Sequence, residues 1–202
     1  MVSHLFHQKA VRSRKMTISF TSGGPIDTLE KLHTQQWETD IARHSAAGAG
    51  DGPPLTLGEP YQVDYLSLEK VAKGAPGDAV QVTRWRHLLI GGGRPLAEVE
   101  LDDDGNPIAL HVGPAKDGLQ AAIAKAALVN GDFTARVVHS AALKFSALKL
   151  QQGNKTLFIP YPPNLTSLAN LEVIAEAEVF AALQVAAAQT LKAAQGDDPS
   201  GG

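Results

Sequence analysis

Hydrophobic and polar residues alternate most regularly between residues 80 and 112. Alternation of this kind is typical of β-strands that bury one face. The alternating runs are residues 80–90, 96–101 and 108–112. Glycines 91–93 separate the first two runs, and Asp104-Gly105, a pair that tolerates positive φ, separates the last two. The segment therefore predicts three consecutive antiparallel strands.

Apolar residues spaced three to four positions apart predict helices on either side of this segment. The predicted helices are residues 27–45, 67–73, 115–129 and a C-terminal helix that ends near 194 and begins at about 167 or at the second turn after it. Ser67 is a suitable N-cap for the second helix, and Gly74 a suitable stop. The stripe of the last helix consists of Phe180, Leu183, Ala187 and Leu191.

Further β-prone runs occur at residues 17–24, 55–66 and 156–161. Residues 132–150 are ambiguous, because Val137 and Val138 favour a strand while 141–150 could be helical. We predict one long strand with a bulge near Ser146, because the hairpin-like Gln152-Gly153-Asn154 follows it.

Together these elements predict an α+β fold with a single antiparallel sheet of about four to six strands. The strands are expected to form hairpins, with the helices packed mainly on one face. A doubly wound βαβ fold is not favoured, because no strand leads through a glycine-rich turn into a helix. We expect one domain over residues 17–195, with a flexible connector near 46–54 and disordered ends at 1–16 and 196–202.

Composition limits the classes of function. A formal net charge of −3 argues against a nucleic-acid-binding protein with a broad basic surface. The chain contains no cysteine, which excludes disulfides, thiolate catalysis and cysteine-based metal sites. Its length of 202 residues is sufficient for a core that needs no metal to fold.

The distribution of apolar residues also bears on location. No apolar run approaches the roughly 20 residues that span a bilayer, and the first fifteen residues lack a signal-peptide core. We therefore expect a cytoplasmic protein that does not act at a membrane. These basic, acid-free residues could alternatively be a transit peptide or an upstream extension. The alanine- and glycine-rich composition is typical of bacterial proteins from GC-rich genomes.

Two motifs resemble binding loops but lack essential parts. Gly91–Pro95 follows a predicted strand, yet a strand and not a helix comes next, so the helix N-terminus that would bind phosphate is missing. Asp102–Asp104 resembles the start of a calcium loop, but the twelfth position is Gly113 and not Glu. The sequence predicts neither a metal nor a cofactor.

Three histidines fall within predicted strands: His87, His111 and His139. Aligned on one sheet they could form a metal site or supply a general base, although unrelated strand histidines are the more common explanation. Alternation predicts that His111 points outward. Ser140 cannot pair with His139, because adjacent strand residues point to opposite faces.

The candidate ligand- or partner-binding residues are Arg84, Trp85, Arg86, His87 and Tyr161. A tryptophan between arginines could stack on a ligand or partner, although core packing of Trp85 is the more common explanation. No catalytic residue is assigned.

These observations favour a non-enzymatic intracellular binding or interaction protein of unknown ligand. Its partner is expected to be a protein or a small molecule, not nucleic acid or a membrane. The alanine-rich C-terminal helix could form a homodimer contact, although packing on its own sheet is preferred. One alternative is a small-molecule enzyme using His87 or His139 with Glu98 or Glu100. Another is an inactive subunit of a larger assembly.

Overall fold

The computed structural model describes residues 18–21, 24–25, 56–74 and 76–196. The predicted helix at 27–45, the predicted connector at 46–54 and the predicted disordered segment 1–16 lie outside these residues, as do residues 197–202. The proposed single domain over 17–195 therefore stays a prediction.

The described residues form ten strands and three α-helices. The strands are β1 (Ile18–Phe20), β2 (Thr56–Leu57), β3 (Tyr61–Leu66), β4 (Val80–Gly91), β5 (Arg94–Leu101), β6 (Pro107–His111), β7 (Phe133–Ser140), β8 (Phe145–Gln152), β9 (Lys155–Pro160) and β10 (Ile174–Ala175). The helices are α1 (Leu68–Ala72), α2 (Ala115–Ala126) and α3 (Glu176–Gly196), and a 3-10 turn spans Pro76–Asp78.

All ten strands belong to one mixed sheet. The main order is β10-β9-β8-β7-β3-β4-β5-β6, with β1 paired to β7 and β2 paired to β4. The pairs β3·β7 and β1·β7 are parallel. The predicted antiparallel sheet of four to six strands is therefore wrong. The hairpins are antiparallel as expected, but α2 carries the chain back across the sheet and places β7 beside β3.

Helices cover both faces of the sheet, so the predicted packing mainly on one face is also wrong. Adjacent residues of β7 show this clearly: Val137 packs with the core under α2, whereas Val138 packs with the core under α3. Ala147 and Leu148 of β8 divide in the same way. A strand buried on both faces carries a nearly continuous apolar run, so alternation could not reveal its second face.

A hairpin replaces the long strand predicted for residues 132–150. Residues 141–144 form a turn in which Lys144 has a φ of 44°, and β7 and β8 pair on either side. Ser146 lies directly opposite His139 in this pairing, so the predicted bulge is absent from that position. The helical alternative for residues 141–150 is wrong as well. This hairpin brings two polar side chains together across the sheet.

The short helix and the two long helices follow the apolar spacing of the sequence. The Ser67 side chain accepts a hydrogen bond from the Lys70 N–H and caps α1, as predicted. Leu183 and Ala187 of α3 are fully buried, and α3 begins at Glu176, nearer to the later of the two predicted starts. In the described part of the chain, no helix is long and apolar enough to cross a membrane.

Helix α2 approaches the end of β9 unusually closely, and a glycine makes this approach feasible. A Cβ atom on Gly118 would lie 2.2 Å from the Pro162 carbonyl oxygen and 2.8 Å from Cδ2 of Tyr161. Both distances are shorter than van der Waals contact. Only glycine therefore allows α2 to pack this closely against Tyr161, which lines the site described next.

Candidate functional site

Polar side chains from several strands converge around a cavity of about 500 Å3 on the face of the sheet that carries α2. Its lining consists of Tyr65, Arg86, Glu98, Glu100, His111, Ala115, Val137, His139, Ala141, Ser146 and Tyr161. These residues are up to 96 positions apart in sequence (161 − 65), so only the folded sheet assembles them.

Strand register aligns one half of the site. Arg86 of β4 lies opposite Tyr61 of β3 on one side and opposite Glu100 of β5 on the other. Glu98, two residues before Glu100 and so on the same face, lies opposite His111 of β6. One arginine, two glutamates and a histidine therefore meet on three adjacent strands.

The parallel pair β3·β7 supplies the other half. Tyr65 is the register partner of His139, and His139 is in turn the partner of Ser146 in β8. Tyr161 follows β9 directly and is fixed by its backbone N–H, which donates to the Ser146 carbonyl oxygen over 3.0 Å. The polar side chains therefore meet where the parallel pair β3·β7 joins the two parts of the sheet.

Arg86 lies at the centre of the site with only 6% of its surface exposed. Its Nε and Nη2 atoms donate to Oε2 of Glu100 over 3.1 and 2.8 Å, and Nη1 donates to Oε2 of Glu98 over 3.4 Å. Burial acts to lower the pKa of Arg86, but the charge of Glu98 and the neighbouring groups raise it above its ordinary value. Arg86 is therefore a permanent cation held by two carboxylates.

Glu100 accepts the largest number of these hydrogen bonds. Its Oε2 atom also accepts a hydrogen bond from the Tyr65 hydroxyl and lies 2.9 Å from Nε2 of His111. Burial acts to raise the pKa of Glu100, but hydrogen bonds from His111, Tyr65 and Arg86 lower it to about 2. Glu100 is therefore ionised throughout the physiological range.

Two tyrosine hydroxyls also donate hydrogen bonds to these glutamates. The Tyr61 hydroxyl donates to Oε1 of Glu98 over 2.5 Å. Burial, reinforced by the charge of Glu98, raises the pKa of Tyr61 well above its ordinary value. Burial likewise raises the pKa of Tyr65 to about 12. Both tyrosines therefore remain protonated and act as donors to the glutamates.

His139 and Ser146 form a second polar pair at the opposite wall. Nδ1 of His139 lies 2.9 Å from Oγ of Ser146, and the imidazole meets the Tyr65 ring edge-on at a centroid distance of 5.5 Å. Burial, together with the positive charge of Arg86, lowers the pKa of His139 to about 4. The imidazole is therefore neutral at physiological pH, where it can accept a hydrogen bond through one ring nitrogen.

The five residues proposed from the sequence as ligand- or partner-binding do not lie together in the structure. Arg86 and Tyr161 line the cavity. Arg84 instead forms a surface ion pair with Asp103. Trp85 packs with the small core of β4 and β5. The roles of these residues stay predictions.

His87 lies on the opposite face of β4 from Arg86. Its ring nitrogens lie 2.9 Å from the Gly58 carbonyl oxygen and 3.1 Å from the Pro25 carbonyl oxygen. The three strand histidines therefore do not share one site, since only His111 and His139 line the cavity. His111, which was predicted to point outward, has a side chain that is 41% exposed, and its Nε2 atom lies 2.9 Å from Oε2 of Glu100.

Sequence reasoning did not find Tyr65 and Ser146, and it treated Glu98 and Glu100 only as partners of a catalytic histidine. One signal was present: two glutamates at alternate positions of a strand whose other residues are largely apolar. Buried acids require a buried counter-charge, and the neighbouring hairpin strand offers Arg84 and Arg86. No comparable signal marks Ser146, which is placed next to His139 only by the register of β7 and β8.

Two smaller cavities bring fewer polar side chains together. One, of about 220 Å3, lies beneath α3 and is lined by Asp64, Lys149 and Glu176 together with apolar residues. The other, of about 270 Å3, lies between the 141–144 turn and the second half of α3. Within the residues that the structure describes, no group of three or more His, Asp or Glu side chains could hold a metal ion.

Comparison with known proteins gives no relative from which a function could be inferred, so a proposed function has to be argued from the cavity. No protein-family model, no curated protein and no solved structure matches this chain.

Proposed function

We propose that this protein binds a small molecule in the cavity between α2 and the sheet. The observation that carries the proposal is the convergence of Arg86, Glu100, His139 and Tyr161 on one cavity of about 500 Å3. Ligand sites typically have volumes of roughly 300–1,000 Å3 and combine an apolar lining with a few well-placed polar groups. Aromatic rings and Val137 supply the apolar part here.

The protonation states favour binding over acid–base catalysis. A catalytic acid or base works best when its pKa lies near the operating pH. The pKa values of Glu100, His139 and Tyr65 are about 2, about 4 and about 12, all far from neutrality. Groups fixed in one protonation state are suited to recognising a ligand, because their donor and acceptor roles do not change.

An acid–base enzyme is the second candidate, because His139 and Glu100 line the same cavity. NMR titration of His139 distinguishes the two. A pKa near 7 would favour the enzyme, whereas an imidazole that stays neutral to about pH 5 supports binding. Location in the cytoplasm, homodimer formation, a protein partner and membership of a larger assembly remain proposals from the sequence alone.

A fragment screen by ligand-observed NMR tests the proposed function. Ala141 lines the cavity, so Ala141→Trp should fill part of it and abolish the binding of fragments held there. Ala142→Trp is the matched control, since Ala142 is the next residue of the same turn and lines a different cavity. Fragments that bind the wild type and the control but not Ala141→Trp would support the proposal. A screen in which no fragment depends on Ala141 would refute it.

A further inference from the structure

We propose that the ligand of this cavity carries a cationic amine; this inference rests on the proposed function and names the chemical class of its ligand. The observation that leads to it is the way in which Arg86, Tyr61 and Tyr65 already donate to Glu98 and Glu100. A ligand must therefore complement the hydrogen-bond donors and acceptors that these side chains leave unused.

The donors of the site are largely engaged. A guanidinium has five N–H groups, and in Arg86 its three nitrogens direct four hydrogen bonds to Glu98, Glu100 and Tyr65. One N–H of the guanidinium is left, so a carboxylate or phosphate ligand that takes two of its N–H groups would have to displace one of these buried acceptors. Displacement would leave a glutamate without its counter-charge inside the protein, which is strongly unfavourable.

Acceptors remain in excess. A carboxylate offers about four lone-pair positions, and the hydrogen bonds that the described residues make to Glu100 all reach its Oε2 atom. In the tautomer whose Nδ1–H donates to Oγ of Ser146, neutral His139 adds Nε2 as an acceptor. An ammonium group, which carries three donors and no acceptor, complements this inventory.

The charge of the lining points in the same direction. Apart from the imidazoles, the two glutamates and one arginine of the lining carry a formal charge of −1 (−2 + 1). Tyr65 and Tyr161 also line the cavity, and the faces of aromatic rings attract cations, as the Arg86 guanidinium 5.6 Å from the Tyr65 ring centroid illustrates. A positively charged ligand would therefore gain from both the net charge and the aromatic walls.

Two features add positive charge near the cavity without reversing this preference. Protonation of His111 would bring the formal charge of the lining to zero but not above it. Ala115 places the N-terminus of α2 at the wall, which contributes about half a positive charge. Two N–H groups of that first turn, those of Asp117 and Gly118, already donate to the Pro114 carbonyl oxygen.

Three ligands of similar size test the inference: benzylamine, benzyl alcohol and benzoate. Their dissociation constants for the wild-type protein would be measured by NMR titration at neutral pH and low salt. Benzylamine is expected to bind about tenfold more tightly than benzyl alcohol, from its charge and its cation–π contact, and benzoate is expected to bind most weakly. Equal or tighter binding of benzyl alcohol or benzoate would overturn the inference.

Two sets of variants locate the effect. Glu100→Gln should reduce the preference for benzylamine over benzyl alcohol to about threefold or less, because the surplus charge is removed. Asp103→Asn, which removes the same charge from a side chain that is 89% exposed, should leave the preference unchanged. An unchanged preference in folded Glu100→Gln, or benzylamine binding that survives in Ala141→Trp, would contradict the proposed site. The wild-type comparison stands even if Glu100→Gln does not fold.

The outcomes separate this inference from the proposed function. If other fragments bind in an Ala141-dependent way but benzylamine does not, the amine assignment fails and the cavity remains a ligand site. If no fragment of any charge depends on Ala141, both fail together.

Discussion

Replacing Arg86 with methionine tests the electrostatic design of the site most directly. Methionine keeps much of the length of the arginine stem but removes the guanidinium that faces Glu98 and Glu100. The side chains of these glutamates retain only 4% and 12% exposure, so water cannot easily replace the lost partner. Removing one partner of a buried ion pair typically costs about 3–5 kcal/mol. We expect a loss of this size in the free energy of unfolding near pH 7.

The pH dependence of the loss identifies its cause. In the wild type the pKa of Glu100 is lowered to about 2, so its charged form stabilises the fold above the ordinary carboxyl pKa, and that stability is lost as the pH falls towards 2. In Arg86→Met the buried glutamates lose their counter-charge, and their pKa values should rise above the ordinary value. Their destabilising effect is then largest at neutral pH and decreases as they become protonated. The difference from the wild type should therefore narrow between about pH 7 and pH 5.

Urea unfolding followed by circular dichroism at these two pH values provides the measurement. Arg84→Met is the matched control, because Arg84 lies on the same face of the same strand but pairs with an Asp103 side chain that is 89% exposed. Its loss should be below about 1 kcal/mol, as for other surface ion pairs. An Arg86→Met protein within about 1 kcal/mol of the wild type, or with the same loss at both pH values, would refute the reasoning.

Three further predictions concern other parts of the structure. Gly118→Ala should lower stability by about 1–3 kcal/mol or more, because the new Cβ would lie 2.2 Å from the Pro162 carbonyl oxygen; an unchanged melting temperature would contradict the close approach. The His139 imidazole should stay neutral until the pH approaches about 4. Since its folded pKa is depressed, it should reduce stability as the pH falls below the ordinary histidine pKa of about 6.5; NMR titration and the flatter pH profile of His139→Gln check this, and ordinary titration would contradict it. Leu183→Ala should cost about 2–5 kcal/mol because Leu183 is fully buried in α3. Val185→Ala, at a side chain that is 60% exposed, should change stability by less than about 0.5 kcal/mol, and similar losses for both would contradict the assigned packing of α3.

Local patterns identified most of the elements, but neither the turn within residues 132–150 nor the arrangement of the strands. Alternation and glycine turns between residues 80 and 112 predicted β4, β5 and β6, and apolar spacing predicted α2 and most of α3. These signals involve neighbours along the chain, whose geometry is fixed by backbone periodicity. The pairing of β3 with β7 involves residues 74 positions apart (137 − 63), and no local pattern specifies it.

The candidate site shows the same division. Arg86 and Tyr161 were singled out from the sequence, but so were Arg84, Trp85 and His87, which lie elsewhere. Proximity to a tryptophan was a poor guide, because alternate residues of β4 point to opposite faces of the sheet.

Composition and short-range periodicity are sufficient to predict the α+β class, the antiparallel hairpins, the helix faces and the absence of cysteine chemistry. Long-range packing instead produces the ten-strand mixed sheet, the coverage of both its faces and the proximity of Arg86 to Glu98, Glu100 and His139. Strand register sets which side chains share a cavity, and register between distant strands depends on how the two hairpin units pack together. The charge surplus and the fixed protonation states of the site follow from that packing.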